Sequence, residues 1–127
     1  MTMEERRALA LSYLGKTVTV AIDRPVGYVH RKENYTLTYP LNYGYIPGVP
    51  GGDGEELDVY VLGPTEPLET FTGEIVGILW REDDLEDKLV AAAPGVRPDE
   101  ETVAAAVAFQ EQYYHTRVQA LYPRQKR

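Results

Sequence analysis

Between residues 16 and 93 the chain is written in short alternating or β-branched runs, divided by Gly, Pro and acidic turns. Residues 16–23 (KTVTVAID) place Val18, Val20 and Ile22 on one face, a strand signature that Pro25 and Gly27 end. Short strands are predicted at 35–39 and 43–46, broken by Pro40, and longer ones at 57–62, 71–80 and 88–93. Residues 81–87 read as a polar turn too acidic for core, and 47–54 (PGVPGGDG), with four Gly and two Pro, as a loop. The two ends differ. Residues 3–14 suit a helix, acids first and Leu11 and Leu14 three apart, stopped by Gly15. Arg97-Pro98-Asp99-Glu100-Glu101 reads as a helix start, after which Val103, Ala106, Val107, Gln110 and Tyr114 keep helical spacing to about Arg117. Strands that do not alternate with helices argue against a doubly wound parallel sheet. The expectation is a mainly β fold, a small, mostly antiparallel barrel with flanking helices.

The 127 residues contain no cysteine, which bounds the reading to one domain over 1–127 and removes disulfide, zinc–thiolate and thiol chemistry together. Twenty acidic against thirteen basic residues leave a formal charge of −7, so neither nucleic acid nor an anionic membrane surface is an expected partner. No apolar run approaches the roughly 20 residues that span a bilayer. MTMEERRALA is too charged for a secretory signal, and the expected compartment is the cytoplasm.

Three segments compete to carry chemistry. In Asp53-Gly54-Glu55-Glu56-Leu57-Asp58, several carboxylates fall within six residues and repel one another unless a cation neutralises them. Hard divalent ions such as magnesium take such oxygen ligands, although an acidic solvated turn has the same composition. Residues 82–87 carry five acids in six positions, a solvated face or a second half-site. Lys88 follows at the start of an apolar strand, where its stem can lie along the sheet and its ammonium can point at a phosphate. The window 39–48 (YPLNYGYIPG) holds three tyrosines, each an apolar body with a hydroxyl tip. His30 and His115 lack metalloprotease spacing and read as surface residues, and neither a phosphate-cradling GxxxxGK[ST] loop nor a GxSxG elbow is present.

In order, YPLNYGYIPG, DGEELDVYV and an acidic turn into DKLVAAAPG resemble the soluble single-domain inorganic pyrophosphatases, over roughly residues 17–115. The resemblance implies a distorted five-stranded antiparallel barrel of the oligonucleotide-binding-fold type with a C-terminal helix. It also implies hydrolysis of inorganic pyrophosphate to two phosphates with several Mg2+ ions, and a homo-oligomer, often a hexamer in bacterial members. By position, Asp53 and Asp58 match acids that ligate the central metals, and Glu55 the acid that helps activate the attacking water. Tyr43 and Lys88 match phosphate-binding residues, and Glu86 a late metal ligand. Asp83 matches the other acid of that loop, with Asp84 and Asp87 as alternatives if the register slips by one. Asp23 sits where the family has a glutamate before proline, Lys32 near a phosphate-binding lysine with Arg31 as competitor, and Tyr113 at a phosphate-binding tyrosine.

The chain departs from the family pattern at named places. Glu55 replaces an aspartate, Tyr114 stands where a second phosphate lysine is usual, and the short segment between Lys32 and Tyr39 leaves the family's arginine unmatched, with Arg31 as the substitute on offer. These departures keep two other readings open: a hydrolase of another small phosphoanhydride, and a barrel that binds metal without catalysis.

Overall fold

The computed structural model describes residues 2–51, 54–83 and 86–124. The elements are α1 (Met3–Tyr13), β1 (Thr17–Arg24), β2 (Val29–Arg31), β3 (Thr36–Thr38), β4 (Asn42–Pro50), β5 (Glu56–Leu62), β6 (Thr70–Arg81), β7 (Lys88–Ala92), α2 (Glu100–Glu111) and β8 (Thr116–Ala120). Among the described residues no helix is long and apolar enough to cross a membrane.

Five strands close into a barrel in the order β1-β4-β5-β7-β6, with β6 pairing back onto β1, while β2 and β3 form a separate hairpin. This is the expected five-stranded barrel. One pairing departs from the antiparallel pattern: β5 and β7 run parallel. The chain goes out along β6 and returns along β7 before β7 closes on β5, so the two strands point the same way. Gly44 makes the β1–β4 pairing possible, since a Cβ there would lie 1.8 Å from the Ala21 carbonyl oxygen. The YGY motif is thus a steric requirement flanked by two tyrosines on one face.

Alternation along the strands builds two cores on opposite faces of the wall. Val59, Val61, Leu89, Ala91, Ile75 and Ile78 pack on one side with Ala10 of α1. Tyr43, Tyr60, Leu62, Val76, Val90 and Ala92 pack on the other with Val103 and Val107 of α2. Fully burying one such aliphatic side chain contributes about 1.5–3 kcal/mol.

Several expectations are corrected. The last helix does not run to Arg117; it ends at Glu111, and Thr116–Ala120 is a strand. β1 pairs with β6 only over Thr70–Glu74, so the same strand would otherwise expose bare backbone beyond that point. β8 pairs along Gly77–Arg81 instead, and an unpaired edge overrides the helical spacing of Tyr114. β4 extends through Pro50 into the expected loop, turning at Gly48, whose φ is +79° and whose N–H donates to the Glu56 carboxylate at 2.8 Å. The hairpin strand β2 was not expected. In α1 the inward positions are Arg6 and Ala10, whereas Leu11 is exposed. Nor is the acidic turn wholly outside the core: Arg81 and Asp87 are both buried. Each has a charged partner there, which is the condition for burying a charge.

Candidate active site

The Lys88 ammonium is where the separate sequence signals meet. Lys88 opens β7, parallel to β5 and in step with Asp58, and its side chain reaches across to Tyr43 on β4. Its Nζ donates to the Tyr43 hydroxyl at 2.7 Å, to Asp58 Oδ2 at 2.8 Å and to Glu86 Oε1 at 3.1 Å. Three partners match the three protons of an ammonium. Asp58 and Glu86 stay partly open, with 25% and 18% of their side chains exposed, while Lys88 is at 3%. The site is the polar rim of the core that α2 covers.

The tyrosine is held neutral. Burial, then the Asp58 carboxylate, which it also hydrogen-bonds, push the Tyr43 hydroxyl well above its ordinary pKa. Asp23, beside Arg24 at the end of β1, lies in the field of Asp58 and Lys88; shielding from water and the Asp58 charge raise its pKa against the pull of Arg24. A β-bulge between Ile22 and Arg24 brings Arg24 opposite Tyr43.

The other expected residues are distributed as follows. Asp53 and Asp84 lie outside the described residues. Glu55 stands exposed in the turn before β5, its carbonyl accepting the Gly51 N–H. Asp83 is exposed, and both its oxygens lie 3.1 Å from the His115 backbone N–H, at the entry to β8. Asp87, the alternative in that loop, turns away from the Lys88 cluster to Arg6, whose Nε donates to it at 2.8 Å. Arg31 ends β2 and Lys32 follows it. Tyr113 stacks on Tyr35 with ring centroids 4.2 Å apart. Tyr114, where the family pattern has a lysine, stacks on the Arg81 guanidinium, whose carbon lies 3.6 Å from the ring centroid.

Sequence reasoning missed a polar chain running behind the site. Arg81 binds Glu111 through two N–H groups, at 3.0 and 2.7 Å, and approaches Glu86 at 3.5 Å. Tyr60 donates to Glu111 at 2.5 Å and accepts from Gln110 at 2.6 Å. Tyr39 donates to the Gln110 side-chain amide oxygen Oε1 and accepts from Arg24 at 2.5 Å. The usable signal was Gln110-Glu111 at helical spacing on the inner face of α2, two polar residues where apolar ones belong.

Among the described residues no three His, Asp or Glu side chains form a ready-made metal cage. The donor chemistry nonetheless fits a hard divalent ion: Asp58 and Glu86 converge on one cation and keep accessible oxygens, and Asp23 lies within the field of Asp58.

Comparison with known proteins bears on the family and the fold. The inorganic pyrophosphatase of Rickettsia prowazekii is 35% identical over 68 residues, 50% of this chain and 40% of that protein. Inorganic pyrophosphatase 2 of Pseudomonas syringae pv. tomato is 35% identical over 78 residues, 58% of this chain and 43% of that protein. The matched stretch therefore spans under half of each relative's length. In fold, the crystal structure of the Ehrlichia chaffeensis inorganic pyrophosphatase superposes with a TM-score of 0.64 at 18% identity, covering 85% of this chain and 88% of that one. The Coxiella burnetii inorganic pyrophosphatase gives 0.58 at 20% identity, covering 82% and 84%. A family model described as inorganic pyrophosphatase matches residues 15–118, from the turn before β1 to the middle of β8. The barrel and the Lys88 cluster both fall inside that stretch, and this chain belongs to the inorganic pyrophosphatase family.

Proposed function

We propose that the chain hydrolyses inorganic pyrophosphate to two phosphates, with magnesium as cofactor, at the rim that carries Tyr43, Asp58, Glu86 and Lys88. The observation that supports this most is the Lys88 ammonium, bonded at once by a tyrosine and two carboxylates that lie up to 45 residues from it in sequence.

Asp58, Glu86 and Asp23 are the proposed metal ligands, joined by Asp53. Asp83 is included because a carboxylate that accepts one backbone N–H keeps lone pairs for an ion. Magnesium held there would supply positive charge against the negatively charged substrate and would lower the pKa of a water bound to it. Lys88 can exchange one carboxylate partner for a phosphoryl oxygen without moving its stem, since burial fixes the methylenes. Tyr43, kept protonated, can donate to the same group. Glu55 is proposed to take the proton of the attacking water, and Lys32, Arg31 and Tyr113 to bind the substrate's outer oxygens. No covalent nucleophile is needed, in keeping with a chain free of cysteine.

The test is phosphate release from pyrophosphate with and without magnesium. Expected are magnesium-dependent release and a loss of about 10²- to 10³-fold in Asp58→Asn, the scale of removing one charge-stabilising group. Faster turnover of tripolyphosphate or nucleoside triphosphates would redirect the reading to another phosphoanhydride. No release from any of them would leave a metal-binding barrel. A hexamer, carried by the resemblance, belongs to the same proposal and is read by sedimentation velocity.

A further inference from the structure

α1 lies before residue 15, where the family match begins, yet its Arg6 reaches the base of the turn that delivers Glu86 and Lys88. The register of β6 on β7 ends at Leu79 opposite Lys88. Past that pair the Arg81 backbone N–H donates to Asp87 Oδ1 at 3.1 Å. The Arg6 guanidinium then spans both limbs of the turn. Its Nε donates to Asp87 Oδ2 at 2.8 Å, and its Nη2 to Asp87 Oδ1 and to the Arg81 carbonyl oxygen, each at 3.3 Å. A planar fork with donors in fixed directions suits a contact of this kind, which a flexible ammonium does not reproduce. Arg6 and Asp87 are both buried, so water does not compete for it.

Asp87 stands between Glu86 and Lys88. In extended chain neighbouring side chains leave on opposite faces, so the face that takes Asp87 also directs the other two. Asp87 turns to α1, while Glu86 and Lys88 meet with Asp58 and Tyr43. Arg81 is tied twice as well: its backbone to Arg6 and Asp87, its guanidinium to Glu111 at 2.7 Å and to Glu86 at 3.5 Å. Ala10, one turn after Arg6, packs into the core beneath α1, and the Thr2–Glu5 capping box fixes where the helix starts. Leu11 is left exposed. A helix that turns an arginine inward and a leucine outward is placed to hold the turn rather than to fill the core.

We propose that Arg6 is a positioning residue of the site: by tying Asp87 to the Arg81 carbonyl it sets where Glu86 and Lys88 stand against Asp58 and Tyr43. Its bearing on turnover rests on the pyrophosphatase reading, and the test therefore includes a readout that does not. Metal-free protein is treated with acetic anhydride, and modification of Lys88 is followed by peptide mass spectrometry against the exposed Lys16. Arg6→Met is expected to raise Lys88 modification about tenfold, because the turn that holds the ammonium opens locally. In the same variant kcat for pyrophosphate with magnesium should fall about 3- to 10-fold, with KM within about twofold of wild type. Arg6→Lys should recover part of both, since an ammonium can still hold one limb. Val20→Ala serves as the stability control: it opens a cavity in the core that Ala10 joins, opposite Phe71 at the other end of β6. It should lower Tm while leaving Lys88 protected and kcat unchanged.

Unchanged Lys88 modification in Arg6→Met, or an equal rise in Val20→Ala, would overturn the positioning role and leave the pyrophosphatase reading standing. So would raised modification with kcat intact. A wild-type protein that releases no phosphate would overturn the pyrophosphatase reading, and Lys88 modification would still decide whether Arg6 sets the cluster. If Arg6→Met does not fold, Arg6→Lys and Asp87→Asn carry the same comparison through the same two readouts.

Discussion

Glu86 and Asp87 are neighbours in one acidic turn, and the fold puts them to opposite uses. Glu86 reaches the Lys88 ammonium with 18% of its side chain exposed, on the rim where Asp58 and Tyr43 also arrive. Asp87 is 1% exposed and takes two N–H groups of Arg6, at 2.8 and 3.3 Å, together with the Arg81 backbone N–H at 3.1 Å. Glu86 stays open to water on the rim. Asp87 has its oxygens committed inside the protein. Identical charge therefore says little about role; how much of a carboxylate water can still reach says more.

The largest expected effect separates the two by stability. Asp87→Ala removes the carboxylate that takes two N–H groups of the buried Arg6 guanidinium, a lesion worth about 3–5 kcal/mol. That corresponds to a fall in Tm of roughly 10–20 °C for a domain of this size. Glu86→Gln should move Tm far less, because water still reaches the group, and should instead cut phosphate release by about 10²-fold. Thermal melts and turnover on the same two variants make the crossing visible. Similar Tm losses in both would erase the distinction.

Acid should act on the sealed side. Burial alone would raise the Glu111 carboxyl, but the hydrogen bonds and charge of Arg81 outweigh it and hold the group below its ordinary value of 4.5. A depressed folded-state pKa contributes stability that is complete above the unfolded value and is lost as pH falls through the folded one. Chemical denaturation at a series of pH values should therefore show stability dropping below about pH 4.5. In Glu111→Gln that slope should flatten, at a lower overall stability. An unchanged slope would mean that other carboxylates carry the acid response.

The smallest effect sharpens the open side. Glu55 is one methylene longer than the family's aspartate and stands exposed before β5. If it takes the proton of the attacking water, Glu55→Asp should leave turnover unchanged or raise it a few-fold. Glu55→Gln should lower it by about 10²- to 10⁴-fold, the usual contribution of a general base. Tolerance of Gln with loss in Asp would remove the residue from that role.

Much of this was legible in the chain. Period-two alternation located β1, and β-rich apolar runs closed by turns located β5, β6 and β7, because strands of the closed wall bury side chains on their faces. The spacing of Tyr43, Asp58, Glu86 and Lys88 carried the family resemblance, and those four residues do converge. The choice between Glu86 and Asp87 was not legible, since it depends on Arg6, 81 residues away, arriving on α1. Nor was β8, because only the early departure of β1 from β6 shows that an edge needs covering. Arg24 was silent for the same kind of reason: a bulge in β1 and three tyrosines from elsewhere make its surroundings. Local pattern determines which segments become strands and which residue types are on hand, because alternation and motif spacing are properties of neighbours in the chain. Which of two equal charges is shut inside the protein and which stays open to water is decided by partners far off in sequence, and only the closed barrel brings those partners together.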